Sequence, residues 1–124
     1  MLIKNEPAVL DWAFKRGDDY GCDLQYCNVD GTPEDLTGFT ITGMARENAH
    51  SPKLYDIPIT ITNAKEGRCE ITFTGEFTGA LGITGRPQEM KYDVQIVSPE
   101  GRTLTFIIGT IKVEGDYTRP EGAI

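Results

Sequence analysis

The chain has 124 residues, of which 39% are hydrophobic, with 14 glycines and 7 prolines. This length is typical of one domain and is sufficient for a buried core without metal ions or a disulfide framework. The net charge of −7 makes double-stranded nucleic acid an unfavourable partner, because an acidic surface repels phosphate groups.

Apolar side chains recur at every second residue through most of the chain, which is the period of β-strands. Short runs of this kind are separated by turns rich in glycine, proline, asparagine and aspartate. The predicted strands are residues 9–14, 20–28, 39–46, 53–62, 69–75, 89–97 and 102–115. No alternation of strands with long helices is present, so a parallel α/β sheet is excluded.

Three segments predict specific local features. Pro58 cannot donate to a sheet ladder, so the strand at residues 53–62 is expected at an edge. Residues 76–81 are expected to form a single helical turn, with Thr74 or Thr78 as its cap. The last strand is apolar on both faces in its middle, which predicts either a central position or a face covered by a partner.

Together these segments predict an all-β fold, an immunoglobulin-like antiparallel β-sandwich of about seven strands. Residues 1–124 are expected to form a single domain, with residues 1–8 and 115–124 as candidate extended arms. The start of the chain lacks the pattern of a signal peptide, and no run of about 18 apolar residues predicts a membrane span.

The tripeptide Arg16-Gly17-Asp18 is known for cell adhesion, but it lies between two predicted strands. Gly17 permits a bend, and Asp18 and Asp19 can accept hydrogen bonds from nearby backbone amides. The segment is therefore interpreted as a turn between strands.

The three cysteines, Cys22, Cys27 and Cys69, have the spacing of neither a zinc site nor a disulfide framework. They are expected to be reduced, buried and inert. A bridge between Cys22 and Cys69 across facing sheets is the alternative.

No catalytic constellation stands out. His50, the only histidine, lies in a polar loop beside Ser51, and adjacent residues do not make the geometry of a catalytic triad. Three acidic pairs are candidates for a general acid and base. They are Asp18 with Asp19, Glu34 with Asp35, and Asp93 with Glu100. Neighbours on a strand point to opposite faces, so the chain is expected not to be an enzyme and to need no cofactor.

Two ligand classes, calcium and carbohydrate, compete with simpler structural roles for some residues. Asp18, Asp19, Asp30 and Asp35 supply hard oxygen atoms for calcium if they meet at one end of a sandwich, but turn residues without a ligand explain them better. A carbohydrate-binding surface needs exposed aromatic rings, whereas most aromatic residues of this chain lie at inward-facing positions of a predicted strand. The rings without such a constraint are Tyr55, Phe77 and Tyr117.

Four segments, taken in order, resemble a family of small β-sandwich proteins of tailed bacteriophages and prophages, and are similar to the N-terminal domain of phage baseplate upper proteins. These segments are KRGDDYGCDLQY, DGTPEDLTGFTITGMAR, EITFTGEFTGAL and KYDVQIVSPEGRTLTFIIGTIKVEGDYTRP. The resemblance covers about residues 15–120, and residues 30–38 and 92–95 are its most specific parts. Residues 1–14 fall outside it.

The resemblance implies a virion structural protein, a tail, baseplate or fibre-attachment component made in the host bacterial cytoplasm. Such a protein acts by assembly with other virion proteins and with copies of itself. The candidate assembly residues of the arms are Glu6, Pro7, Tyr117, Thr118, Arg119 and Pro120. The alternative is a β-sandwich module that binds host-surface glycans or decorates the capsid.

Overall fold

A computed structural model describes residues 2–3, 7–51, 55–79 and 89–114 of the chain. Ten strands and one short helix lie within these residues. They are β1 (Leu2–Ile3), β2 (Ala8–Val9), β3 (Trp12–Lys15), β4 (Tyr20–Cys27), β5 (Thr40–Arg46), β6 (Tyr55–Ile57), β7 (Ile59–Asn63), β8 (Arg68–Phe73), α1 (Gly75–Gly79), β9 (Glu89–Val97) and β10 (Thr103–Glu114).

The strands form two sheets that face each other across one apolar core. One sheet has the order β1-β4-β8-β7, and the other has the order β2-β10-β9-β5-β6, with β3 also paired to β10. These orders follow the immunoglobulin pattern, in which strands B, E and D face strands G, F and C. The predicted all-β, immunoglobulin-like sandwich is therefore confirmed.

The run at residues 53–62, predicted as one strand, forms two strands that belong to different sheets. Pro58 separates β6, an edge of the larger sheet, from β7, an edge of the smaller one. Proline lacks a backbone N–H, but its carbonyl oxygen still accepts a hydrogen bond from Thr72 N at 3.0 Å. The prediction of an edge position was right, whereas the prediction of a single strand was wrong.

The core is formed by the inward-facing side chains of the long strands. On β9 the inward side chains are all buried, and they are Met90, Tyr92, Val94 and Ile96. Four aromatic rings stack between the sheets at one end, with centroid separations of 4.5–5.7 Å. These rings are Trp12, Phe14, Tyr20 and Phe73. Rings at these distances add edge-on and tilted attractions to the area that they bury.

Strand β10 contains a β-bulge that changes which side chains face the core. Its register with β9 shifts between Thr105 and Ile107, so one extra residue stands on β10. Phe106 and Ile107 are both buried as a result, and Ile108 points outward with 40% of its surface exposed. The sequence left open which face of this strand is buried, and the predicted central position is confirmed.

The edge beside β10 is interrupted at Leu10 and Asp11, although β2 and β3 keep one register along β10. Leu10 N donates to Ile108 O at 2.9 Å, and Thr110 N donates to the Asp11 carboxylate at 2.9 Å. A side chain here replaces a missing backbone acceptor, so the ladder continues through the interruption.

The cysteines lie on the smaller sheet or at its end, and all three are free. Cys22 is on β4 and Cys69 is on the adjacent β8, so the two belong to the same sheet. The alternative of a bridge across facing sheets is therefore wrong. Cys27 and Cys69 are buried, as expected of small hydrophobic side chains, whereas Cys22 is only half-buried, contrary to the prediction.

Candidate functional site

One end of the sandwich carries a groove of about 440 Å³ between the β4–β5 loop and the β9–β10 hairpin. Its base is apolar, formed by the buried Ile96 and the half-buried Phe39 and Leu104. Its rim is charged and comes from both loops, with Glu34, Asp35, Glu100 and Arg102. We call this feature the end groove.

The β4–β5 loop is held in shape by two turns of the same kind. The Asp30 carboxylate accepts hydrogen bonds from Thr32 N at 3.0 Å and Thr32 Oγ1 at 2.6 Å. The Asp35 carboxylate accepts equivalent bonds from Thr37 N at 2.9 Å and Thr37 Oγ1 at 2.6 Å. These bonds favour the ionised form, so they lower the pKa of both carboxyl groups.

Leu36 fastens the same loop to the body of the domain. Its side chain is buried, and its backbone N donates to Ala64 O at 2.7 Å. Phe39 N in turn donates to Leu36 O at 3.0 Å, which sets the position of the ring at the base of the end groove. The loop wall is thus fixed by an apolar anchor and by its own hydrogen bonds.

The β9–β10 hairpin forms the opposite wall. Ser98 N donates to Arg102 O at 2.9 Å, and Gly101, at φ +88°, donates to Ser98 O at 2.9 Å. The two walls are in close contact at Gly38 and Pro99. The backbone of Gly38 lies so near Pro99 that an added Cβ would be 2.9 Å from Pro99 Cγ. The end groove is therefore preformed, as binding sites usually are.

The rim of the end groove carries three carboxylates and one guanidinium, so its local charge is negative like that of the whole chain. Asp35 also lies near Lys65, which adds to the lowering of its pKa. Within the described part of the chain, the Glu100 and Arg102 side chains make no hydrogen bond or ion pair. An acidic rim over an apolar base suits a ligand with both basic and apolar groups.

A second groove, of about 540 Å³, runs over the outer face of the larger sheet across β5, β9 and β10. Its walls are outward-facing strand residues, among them Arg46, Lys91 and Asp93. Lys91 Nζ donates to Thr110 Oγ1 at 2.9 Å, so part of this face is already engaged within the sheet. The end groove differs from it in having a half-buried aromatic base between two fixed loops.

The four aspartates weighed as calcium ligands do not meet. Asp18 and Asp19 precede β4, whereas Asp30 and Asp35 follow it. The eight residues of β4 separate the two pairs by about 23 Å at ~3.3 Å per residue. The described residues include no group of three or more His, Cys, Asp or Glu side chains placed to hold a metal ion.

The segment around Gly17 is a turn, as predicted. Gly17 has φ +90°, and Asp18 N donates to Lys15 O at 3.2 Å. Helix α1 holds this turn through the buried Thr78, whose Oγ1 accepts from Gly17 N at 3.0 Å and donates to Asp18 O at 2.7 Å. The tripeptide is thus bound against the domain and does not project as a flexible loop.

Helix α1 is the single helical turn expected after β8. Thr74 is its cap, since Thr74 Oγ1 accepts a hydrogen bond from Phe77 N at 3.2 Å. The Asp19 carboxylate accepts another from Gly75 N. These two hydrogen bonds satisfy backbone N–H groups at the start of the helix.

The other residues singled out from the sequence are dispersed. His50 is exposed in the loop after β5, where its backbone N donates to Asn48 Oδ1 at 3.0 Å. Asp93 lies on the outer face of β9, away from Glu100 in the hairpin.

The rings of Tyr55 and Phe77 pack together at 5.5 Å, and Phe77 packs on Phe73 at 5.2 Å. These rings extend the core, so Tyr55 and Phe77 are held more firmly than the sequence pattern indicated. Tyr117 lies outside the described residues.

The arm residues Glu6, Tyr117, Thr118, Arg119 and Pro120 also lie outside the described residues. Pro7 is exposed just before β2. Leu2 and Ile3 pair in parallel with Tyr26 and Cys27 of β4, so this part of the first segment belongs to the smaller sheet. The role of the arms in assembly stays a prediction.

Phe39 and Arg102 were not singled out from the sequence, although both line the end groove. Phe39 was counted as the first inward residue of a strand. Its position directly after Gly38 is the one available signal, because a glycine at φ +82° ends the loop there. The contact between the two loops depends on strand order, which the alternation does not specify.

No protein-family model matches the chain, and no curated protein sequence matches it. Among solved structures, the chain is similar to part of a family 123 glycoside hydrolase from Clostridium perfringens, described for glycolipid glycan hydrolysis. The two are 12% identical with a TM-score of 0.38, over 88% of this chain and 23% of the enzyme. At that TM-score the likeness contributes nothing to the function proposed below. Within the described residues, no helix is long and apolar enough to cross a membrane.

Proposed function

We propose that the protein is a structural component of a tailed-bacteriophage particle, a tail, baseplate or fibre-attachment part that acts by binding other virion proteins. One observation carries the proposal. The loop at residues 30–38, among the most specific parts of the resemblance, forms one wall of the end groove. The loop also carries two of the three rim carboxylates, and surface loops held on a rigid scaffold are where binding residues are most often found.

The end groove is the docking surface in this proposal, and its partner is a segment with basic and apolar side chains. The apolar base formed by Phe39, Ile96 and Leu104 supplies buried area, and the carboxylates of the rim favour a partner of opposite charge. The net charge of −7 acts in the same direction, because it steers basic surfaces toward the protein.

The first test asks whether the protein is part of a particle. Phage particles are induced in the bacterium that encodes the chain, purified by density gradient, and analysed by quantitative mass spectrometry. We expect the protein at a fixed copy number per particle. Absence from gradient-purified particles, with the protein present in the lysate, would overturn the proposal.

The second test asks whether the end groove does the docking. Glu100→Lys reverses a rim charge and should lower incorporation about tenfold, the equivalent of about 1.4 kcal/mol of binding. Glu89→Lys makes the same charge change at an exposed position at the far end of β9 and should incorporate normally. Equal incorporation of both variants would remove the groove from the proposal.

A second candidate, binding of a host-surface glycan in the end groove, is favoured by one arrangement. The half-buried ring of Phe39 lies in the same groove as the carboxylates of Glu34 and Asp35. Sugar sites combine an apolar face with such polar groups. A glycan-array signal abolished by Phe39→Ala in folded protein would favour this candidate, and an array without signal would remove it.

A further inference from the structure

The groove of about 540 Å³ over the outer face of the larger sheet carries two basic side chains, Arg46 and Lys91. We call this feature the outer groove. Its volume lies within the ~300–1,000 Å³ that is usual for ligand sites. The loop after β5 adds Asn48 and Ala49 to its lining, so the site is formed by the sheet and a loop together.

Arg46 and Lys91 stand directly opposite each other on neighbouring strands, and we call this pair the basic row. Like charges in such positions repel each other. Both side chains are bonded to neutral acceptors: Arg46 Nη1 donates to Ser51 O at 2.8 Å, and Lys91 Nζ donates to Thr110 Oγ1 at 2.9 Å. Among the described residues, neither cation forms an ion pair. An anion bound between them would therefore relieve a repulsion that the chain itself leaves in place.

The groups that line this part of the outer groove keep donors for a ligand. An ammonium group has three N–H donors and a guanidinium five, so one bond from each leaves the others available. Asn48 is positioned as well, because its Oδ1 accepts a hydrogen bond from His50 N at 3.0 Å, and its NH₂ group keeps two donors. Three positioned donor groups, two of them cationic, suit an oxyanion, since charge-assisted hydrogen bonds are the stronger kind.

The next row of side chains on the same face has a different chemistry. Met44 and Ile108 lie on either side of Asp93, and all three line the outer groove. Ile108 is on this face because the β-bulge in β10 changes the register just before it. The row lies about 7 Å from the basic row, at ~3.3 Å per residue along each strand. Two apolar side chains with a carboxylate between them suit a sugar ring, whose C–H groups pack on the former and whose hydroxyl donates to the latter.

We propose that the outer groove binds an acidic saccharide. The carboxylate of the sugar is bound by the basic row and by Asn48. Its ring lies over Met44 and Ile108, and one hydroxyl donates to Asp93. The net charge of −7 opposes an anion at long range, but in ~0.15 M salt charges beyond about 8 Å are largely screened. At close range the two cations outnumber Asp93. This site is separate from the end groove and goes beyond the proposed docking function.

The test is a titration of the full, ¹⁵N-labelled chain with digalacturonic acid in ~0.15 M salt, followed by amide chemical shifts. We expect saturable shifts at residues 44–49, 91–93 and 108–110, with a dissociation constant of about 1 mM, as for a small ligand in an open site. The neutral disaccharide galactobiose should bind at least about tenfold more weakly, because it lacks the carboxylate. No shifts in the outer groove, or equal binding of the two disaccharides, would overturn the proposal.

Two further probes distinguish an acidic saccharide from other anions. Inorganic phosphate should bind at least about tenfold more weakly than digalacturonic acid, because it has no ring to pack on the apolar side chains. A hexaglutamate peptide should also bind more weakly, because it has no hydroxyl for Asp93 and its further carboxylates are repelled there. Phosphate that binds as tightly would reduce the site to one for a simple oxyanion. Tighter binding of the peptide would indicate an acidic protein partner, and either result would contradict the proposal.

Substitutions make the test specific to the basic row. Lys91→Gln should weaken binding of digalacturonic acid about tenfold, and Arg46→Gln should do the same. Ile108→Thr should weaken it without a change of charge. The control Lys112→Gln removes a cation from the same outer face of β10, outside the outer groove, and should bind like the parent chain. Because Arg46→Gln also removes the bond to Ser51, Lys91→Gln is the deciding variant. Parental affinity in folded Lys91→Gln would exclude the basic row as the site.

Discussion

Gly109 of β10 lies directly against the backbone carbonyl of Leu10, so that a Cβ at position 109 would stand 2.1 Å from the Leu10 oxygen. That oxygen also accepts a hydrogen bond from the Tyr92 hydroxyl, which in turn accepts one from Trp12 Nε1 at 3.1 Å. The interrupted edge segment is therefore held in place by two features. Gly109 of β10 leaves room for the Leu10 carbonyl, and the Tyr92 hydroxyl of β9 donates a hydrogen bond to it.

The first prediction concerns this close approach. Gly109→Ala should lower the free energy of unfolding by about 2–3 kcal/mol, because the new methyl group forces the edge segment away from β10. Urea denaturation followed by tryptophan fluorescence measures the loss. Gly79→Ala is the control, because a Cβ there would lie at an ordinary 3.8 Å from Gly17 Cα. If Gly109→Ala proves as stable as this control, the edge segment does not depend on the contact.

The second prediction removes the phenol oxygen. Tyr92→Phe should cost about 1–2 kcal/mol of unfolding free energy, because the Leu10 carbonyl and the Trp12 indole N–H each lose a part-buried partner. The same urea titration provides the measurement. Wild-type stability in this variant would mean that the two groups find other partners.

The third prediction follows from the pKa of the same side chain. Burial raises the pKa of Tyr92 from 10.0 to about 12, so the folded state holds the phenolic proton more tightly than the unfolded state does. The associated stability is complete below about pH 10 and is lost as the pH rises toward about 12. Unfolding midpoints measured across this range should fall less steeply in Tyr92→Phe than in the parent chain. Parallel slopes would contradict this assignment.

The fourth prediction concerns the link between helix α1 and the turn at Gly17. Thr78→Val keeps the shape of a buried side chain but removes its hydroxyl, and should cost about 1–3 kcal/mol through the unpaired groups of Gly17 and Asp18. Hydrogen exchange at the Gly17 amide should accelerate. Thr72→Val, at an exposed position of β8, should change the stability by less than about 0.5 kcal/mol. Equal effects of the two substitutions would count against the link.

The fifth prediction concerns the thiols. Burial raises the pKa of Cys69 to about 11, with a smaller contribution from Cys22, and the pKa of Cys22 is raised for the same main reason. Thiolates are the reactive form, so the native protein should react slowly with a disulfide reagent at pH 8. All three thiols should react at once in denaturant. Rapid reaction of Cys69 in the folded protein would show that β8 opens readily.

The alternation of apolar and polar residues predicted the fold because, along a strand, it follows which side chains are buried. It assigned every inward residue of β9, where the ladder runs without irregularity. It gave no sign of the bulge in β10, because one added residue leaves no mark in a pattern that is apolar on both faces. It also joined β6 to β7, because the alternation continues across Pro58 although the chain changes sheets there.

The end groove could not be predicted from the sequence, for a related reason. Residues 30–38 and 98–101 were both predicted as turns, and both are turns. Their contact through Gly38 and Pro99 depends on which strands are neighbours, and nothing local to either loop specifies that. Phe39 acquires its place at the base of the groove only through this long-range arrangement.

The bulge in β10 places one more side chain in the core than a regular strand of the same span would. Without the extra residue near Phe106 the ladder with β9 would be regular, and Ile111 would still stand opposite the buried Met90. The loss would be one buried side chain, and the faces of the strand would not exchange. A related chain that is one residue shorter at this point should therefore keep the same sheet around a smaller core.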